Sequence, residues 1–404
     1  MESYVTHLEC GATGERFPAG ELHNLSSAGK PLLVRYDLDR IRHAWDRASL
    51  DHRPQDLWRY RELLPLRRAE DVVSLGEQIT PLIPLANTSA RINGGELLVK
   101  DEGRLPTASF KARGMAVAVS MAKSFGVRQM AMPTVGSGGA SVAAYCRKAG
   151  IEAFVFCPDD SPDLALREIA AYGARLYLVN GDLGACNRIV AEGCAEMGWF
   201  NISTLKEPYR IEGKKTMGLE LAEQLGWQLP DVIFYPTGGG TGFIGMWKAF
   251  AELEAIGWIG PKRPRMVAVQ TTGCCPIVKA SEHGDREVVT PWPEIRTNVH
   301  GVRVAKPLGD FLILNALYES NGFGVAVTDE DVAQTRLEIA RDDGALLSPE
   351  GAACVAAYRE ALAGGKVSPA ERAVVFNTAI GLRSEMPPAN RHLDATEPIA
   401  FASL

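Results

Sequence analysis

The loop R-L-P-T-A-S-F-K-A-R-G at 104–114 places Lys111 between a short apolar run and a helical pattern. A lysine at a helix start faces the positive end of the helix dipole, which disfavours its charged form. The neutral amine is the form that attacks a carbonyl to make a Schiff base. The plainer reading is an exposed lysine on a helix shoulder. A second loop, P-T-G-G-G-T-G-F-I-G at 236–245, follows V-I-F-Y-P and opens another helical pattern. Successive glycines bring backbone N–H groups close to an anion, and a helix N-terminus adds attraction. The spacing is not G-x-x-x-x-G-K-[ST], which excludes a nucleotide P-loop. The run over 238–242 has more glycine than a strand-to-helix turn needs, which favours an anion cradle over a plain turn. A third loop, P-T-V-G-S-G-G-A-S at 133–141, offers N–H donors and hydroxyls that suit a carboxylate, or else a capped helix start.

An amine nucleophile, a phosphate cradle and a carboxylate cradle are together what pyridoxal 5'-phosphate (PLP) and an α-amino acid require. The elements that must position them alternate. E-L-L-V-K-D (96–101), Q-M-A-M-P-T (129–134), E-A-F-V-F-C (152–157) and R-L-Y-L-V (175–179) read as strands, with another near 199–203. V-I-F-Y-P (232–236), R-M-V-A-V-Q (265–270) and A-V-V-F-N (373–377) continue the series. Helical patterns cover 112–125, 140–149, 183–196, 216–226 and 241–257, and Ser161-Pro162 reads as a capped helix start. Short apolar strands between helices predict an α/β fold with parallel sheets, whose ligands lie at the carboxyl ends of strands. Residues 1–75 are irregular, with an amphipathic helix expected over 37–51 and a shorter segment over 56–66.

The chain resembles the threonine synthase family, of the fold type II (tryptophan-synthase-β-like) PLP enzymes. The resemblance is carried by S-L-G-E-Q-I-T-P-L (74–82), V-K-D-E-G-R-L-P-T-A-S-F-K-A-R-G (99–114) and E-P-Y-R-I-E-G-K-K-T (207–216). P-T-G-G-G-T-G (236–242), S-P-E-G-A (348–352) and F-N-T-A-I-G-L (376–382) complete it. It implies two three-layer α/β domains with parallel or mixed sheets. A large PLP-binding domain would span 76–126 and 201–404, and a small mobile domain 127–200, after an N-terminal extension over 1–75. By the resemblance Lys111 would form the Schiff base and shuttle the α-proton, and Phe110 would flank the cofactor ring. Gly238, Gly239, Gly240, Thr241 and Gly242 would bind the cofactor phosphate, and Thr378 the pyridine nitrogen. Thr134 and its loop would hold the substrate carboxylate. Arg210, with Ser109 and Arg113, would lie near the leaving group.

The activity implied is conversion of O-phospho-L-homoserine and water to L-threonine and phosphate, by a carbon–oxygen lyase. Some residues depart from the family pattern. Ser137, with Val135 two residues earlier, stands where the family usually has Asn against the cofactor's phenolic oxygen. Leu205 and Glu207 stand where many members have polar residues. Glu207 would repel a phosphate unless it faces away, and Lys206 or Lys214 would compensate. These departures keep open a β-elimination or β-replacement on a related amino acid, like that of threonine/serine dehydratases or cysteate synthase.

The chain has 404 residues, 46% hydrophobic and 23% charged, which excludes a disordered chain. Its net charge of -6 argues against a dedicated nucleic-acid binder. No apolar run is long enough for a membrane span, and the start lacks the pattern of a signal peptide. The eight cysteines form no C-x-x-C pair and read as reduced thiols of a cytoplasmic protein. Cys10 stands without the partners of a zinc ribbon, so no metal is expected. The expected partners are an amino-acid substrate and a second copy in a homodimer.

Overall fold

The computed structural model describes residues 3–386 together with Leu393 and Thr396. The far end of the expected large domain therefore falls mostly outside the described residues. The strands are β1 (Val5–Cys10), β2 (Arg16–Phe17), β3 (Leu32–Tyr36), β4 (Leu82–Pro84) and β5 (Leu97–Asp101). They continue as β6 (Gln129–Pro133), β7 (Glu152–Pro158), β8 (Arg175–Val179) and β9 (Phe200–Asn201). The last are β10 (Val232–Pro236), β11 (Arg265–Thr271), β12 (Phe323–Val327) and β13 (Ala373–Asn377). The helices are α1 (Leu38–Ala44), α2 (Ala86–Arg91), α3 (Lys111–Ser124), α4 (Ser137–Ala149), α5 (Asp163–Ala171) and α6 (Leu183–Met197). They continue as α7 (Tyr209–Gln224), α8 (Thr241–Ala255), α9 (Pro276–His283), α10 (Asp310–Glu319), α11 (Asp329–Asp343) and α12 (Pro349–Ala363).

The larger sheet has the order β12-β11-β10-β13-β5-β4, parallel except for the edge strand β4. Every residue of β5, β10 and β13 is buried, as strands covered on both faces must be. Alternate residues of β10 serve opposite faces. Ile233 and Tyr235 join a core with α3, α7 and α8, whereas Val232 and Phe234 join a core built with α12. The smaller sheet has the order β8-β7-β6-β9 and is all parallel. Its Phe154 and Phe156 pack on one face with Cys186 and Val190 of α6.

The N-terminal strands form an antiparallel sheet in the order β2-β1-β3. It is seated on the larger body by Tyr36, whose hydroxyl donates to Glu212 of α7 at 2.6 Å. Asn24 donates to the carbonyls of Asn201 and Lys206, at 2.9 and 2.7 Å, where the chain leaves the smaller sheet.

Some elements differ from expectation. The helix expected over 37–51 is α1 followed by a separate 3-10 turn at Arg47–His52, because Asp46 caps a new start at Ala48 N–H. Helix α7 begins at Tyr209 rather than 216. Ser161 does not cap α5: its hydroxyl is buried without a partner.

Candidate active site

Strands β10, β13 and β5 lie side by side and parallel, so their carboxyl ends deliver three loops to one place. β5 leads into the segment ending at Lys111, β10 into the glycine turn, and β13 into Thr378. These loops are joined directly. Phe110 N–H donates to the carbonyl of Thr378 at 2.9 Å, and Ser109 bridges Ala379. Thr107 and Ala108 have φ of 55° and 50°, a region that residues with a Cβ rarely occupy. Such strain concentrates where surrounding structure must fix a reactive side chain.

Lys111 is the first residue of α3, and its amine lies 4.2 Å from the centroid of the Phe110 ring. Among the described residues it has no hydrogen-bond or ion-pair partner. Burial pushes its pKa down to about 8; Arg210 adds repulsion and Glu350 opposes it. The helix dipole argued from sequence is thus not the main cause. Desolvation disfavours the charged amine more directly.

The glycine turn runs from Gly238 to Gly240, and α8 starts at Thr241. Gly240 has φ of +73° and caps that helix. A Cβ on Gly238 would strike the carbonyl oxygen of Gly301, and one on Gly242 the Tyr235 hydroxyl. A Cβ on Gly239 would lie 2.9 Å from Thr204 Cγ2. Among the described residues, the amides of Gly238, Gly239 and Gly240 donate to no carbonyl. Orphaned donors at the positive end of a helix are what a phosphate dianion binds.

The loop over 134–136 comes from the smaller sheet, between β6 and α4. Thr134 is buried, and its hydroxyl accepts the Gly136 N–H at 3.3 Å. Ser141 donates to the Ser137 carbonyl at 2.9 Å and bonds Thr107 at 2.7 Å, so this loop meets the Lys111 segment. Ser137 also borders a cavity of about 730 Å³ lined in part by Ser348, Glu350 and Ala379. Glu350 is a residue to which sequence reasoning gave no role. One of its oxygens accepts the Gly301 N–H at 2.8 Å, beside Gly238.

Arg210 is 2% exposed; it donates to the Ile202 carbonyl at 2.8 Å, and its Nε has no partner. The Ser109 hydroxyl is likewise buried and unpartnered. Arg113 is placed differently from expectation. Its guanidinium is spent on Glu102, at 2.6 Å, and Glu220, at 2.8 Å, in a fully buried network that also holds Lys100. Lys206 is half-buried, and its charge acts on Cys194 of α6. Glu207 is buried and accepts the N–H groups of Tyr209 and Arg210. Leu205 has φ of 62° and packs under Gly309. Neither its shape nor its chemistry replaces a polar contact.

The residues present fit PLP. The half-buried Lys111 amine, unpartnered among the described residues, suits its aldehyde, the orphaned amides suit its phosphate, and the Phe110 ring lies beside the amine. Residues 73–379 match the family model for "Pyridoxal-phosphate dependent enzyme", and the chain belongs to that family. The cofactor is PLP. The chain is 32% identical to a threonine synthase of Methanocaldococcus jannaschii, over 93% of this chain and 92% of that one. It is 33% identical to a threonine synthase of Halalkalibacterium halodurans, over 81% and 89%. Within the family the chain is threonine synthase-like. Its fold is also that of threonine deaminase isoform 2 from Solanum lycopersicum, with a TM-score of 0.66 at 19% identity over 81% of this chain and 92% of that one. Maize serine racemase gives 0.65 at 20% identity, over 75% and 88%. Among the described residues no helix is long and apolar enough to cross a membrane, and no group of three metal-ligating side chains occurs.

Proposed function

We propose that the protein converts O-phospho-L-homoserine and water to L-threonine and phosphate. The observation that carries the reading is a half-buried Lys111 amine with no partner among the described residues, delivered with a turn of orphaned amides to the carboxyl ends of neighbouring strands. PLP, when bound, supplies an electron sink that makes the substrate's α-proton removable. Lys111 would hold the cofactor through its amine and, with that amine free, would take and return the substrate's α-proton. An amine of pKa about 8 exchanges that proton near neutrality without a large penalty. The amides of Gly238, Gly239, Gly240, Thr241 and Gly242 would hold the cofactor phosphate, and the Thr378 hydroxyl would serve the pyridine nitrogen. A neutral hydroxyl there would favour the unprotonated ring, which suits elimination and replacement. Thr134 and its loop would hold the substrate carboxylate, and Ser137 would face the cofactor's phenolic oxygen. Arg210, with the Ser109 hydroxyl, holds the side-chain phosphate, and its unpartnered Nε supports that role. Preorganised donors of this kind stabilise charge that develops on the leaving group.

The segment 127–200 acts as the small mobile unit, and its closure on the cavity excludes water. The enzyme works as a homodimer in the cytoplasm; seven of its eight thiols are buried and none is paired, which suits a reducing compartment. Ser137 supports the second reading, a β-elimination. It has a shorter reach than Asn, and loss of one such hydrogen bond costs about 1 kcal/mol. The deciding experiment supplies phosphohomoserine, phosphoserine, serine and threonine separately. Threonine with released phosphate from phosphohomoserine supports the proposal; 2-oxobutyrate from threonine without that activity overturns it. Lys111→Ala is expected to lose both turnover and the visible absorbance of the bound cofactor.

A further inference from the structure

Glu350 is the second residue of α12 and sits in the wall of the cavity. Its place is fixed from the ends of two central strands. Asn377, the last residue of β13, donates through its side-chain amide to Asp101, the last residue of β5, at 2.7 Å. The side-chain oxygen of Asn377 accepts the Ser348 N–H at 2.9 Å, and Ser348 caps α12. A Cβ on Gly351 would lie 2.5 Å from that same oxygen, so the start of α12 rests directly on β13. An acidic side chain in the first turn of a helix also suits its dipole. From that seat Glu350 accepts the Gly301 N–H at 2.8 Å. Gly301 is hemmed in on two sides. A Cβ on Gly301 would lie 2.7 Å from Glu350 Cγ, and a Cβ on Gly238 would lie 2.3 Å from the Gly301 carbonyl oxygen. Gly301 therefore stands between the carboxylate and the glycine turn.

We infer that Glu350 is a positioning residue for the phosphate end of the cofactor: through Gly301 it holds the turn at Gly238, and through Ser348 and Asn377 it ties that turn to the end of β13, where Thr378 follows. The inference rests on the reading of residues 238–242 as a phosphate cradle. A run of glycines has wide backbone freedom and no side chains with which to hold itself. Its amides converge on an anion only if neighbouring structure fixes them, because a hydrogen bond weakens steeply as its angle departs from linear. A carboxylate suits the clasp as an acceptor, since a charged acceptor binds an amide more strongly than a neutral one. Its charge is not what the cradle needs. A negative charge one residue behind a phosphate site opposes the anion. Glutamine at this position keeps the acceptor and removes the opposition. Glu350 also acts on the charge of Lys111. That action bears on the aldehyde end of the cofactor whether or not a phosphate is attached, which separates it from the clasp.

The test uses the full chain freed of cofactor and compares its affinity for PLP with that for pyridoxal, by equilibrium dialysis. Pyridoxal has the same ring and aldehyde but no phosphate. The parent protein is expected to favour PLP. Glu350→Ala is expected to weaken PLP binding about tenfold, the scale of one hydrogen bond to a charged group, and to leave pyridoxal binding unchanged. Glu350→Gln is expected to bind both ligands at least as well as the parent. Gly301→Ala presses on the same clasp from the other side and should reproduce the loss seen in Glu350→Ala. An equal loss for both ligands in Glu350→Ala, an undiminished preference for PLP in that variant, or a Glu350→Gln as weak as Glu350→Ala would each overturn the positioning role and leave the cradle reading intact. A parent protein that binds PLP and pyridoxal alike would overturn both.

Discussion

Glu207 is 1% exposed, and its carboxylate accepts the N–H of Tyr209 at 2.7 Å and that of Arg210 at 3.1 Å. Those are two of the orphan donors that open α7. Burial raises its pKa to about 7, with Arg210 and the two amides pulling the other way. Its folded-state value thus lies above the ordinary 4.5, and the native state holds the extra proton between the two. The contribution is full below the lower value and is lost as pH rises through the upper one. Across that window Glu207 should cost the native state about 3 kcal/mol. In Glu207→Gln, urea denaturation at a series of pH values should show that fall removed. An unaltered pH dependence would mean that the carboxylate is not the titrating group. Sequence alone set this side chain against the substrate phosphate; only the backbone path shows that it turns inward to cap its own helix.

At the scale of elements, the interface of α3 and α7 with β5 decides how rigidly the start of α3, with Lys111, is held. Lys100 of β5, Arg113 of α3 and Glu220 of α7 share a fully buried network with Glu102. Burial alone would raise the pKa of Glu220, yet Arg113 and Lys100 hold it at about 2. Removing one partner strands a buried charge, which costs about 3–5 kcal/mol. Glu220→Leu should lower stability by that amount in denaturant titrations and weaken PLP retention as α3 loosens; a loss under about 1 kcal/mol would count against the network. These buried charges also explain which elements the sequence discloses. β5, β10 and β13 are legible as continuous apolar runs, and their loops follow. The first two turns of α7 are not, since Arg210, Glu212, Lys214 and Lys215 are all buried and break the hydrophobic period. Periodicity assigns no element between Gln270 and Ala373, where β12 and α9 to α12 lie. A signal was present at Ser348-Pro349, where Ser348 does cap α12 through Gly351 N–H at 3.3 Å. The same pair of residues at 161–162 does not cap, so the motif alone does not decide. Gly301 and Thr204 touch the glycine turn through folding alone and carry no local pattern.

For the whole molecule, the N-terminal sheet is tied into the catalytic body. Lys215 and Lys248 lie 4.2 and 4.8 Å from the Tyr36 ring centroid, and both pair with Glu212, at 2.5 and 2.9 Å. The Tyr36 hydroxyl supplies Glu212 with a further hydrogen bond. Tyr36→Phe leaves that carboxylate short of a donor, at a cost of about 1–3 kcal/mol. Thermal and urea unfolding should then show a less stable molecule that still melts in a single transition; two separated transitions would mean that the sheet folds apart from the rest. Asn24 has a different reach. Its amide staples the leading segment to the crossover between sheets, just ahead of Arg210. Anyone grafting this scaffold into a minimal biocatalyst would find that leading segment hard to discard. Without it, the carbonyls of Asn201 and Lys206 would need replacement donors before Arg210 kept its seat.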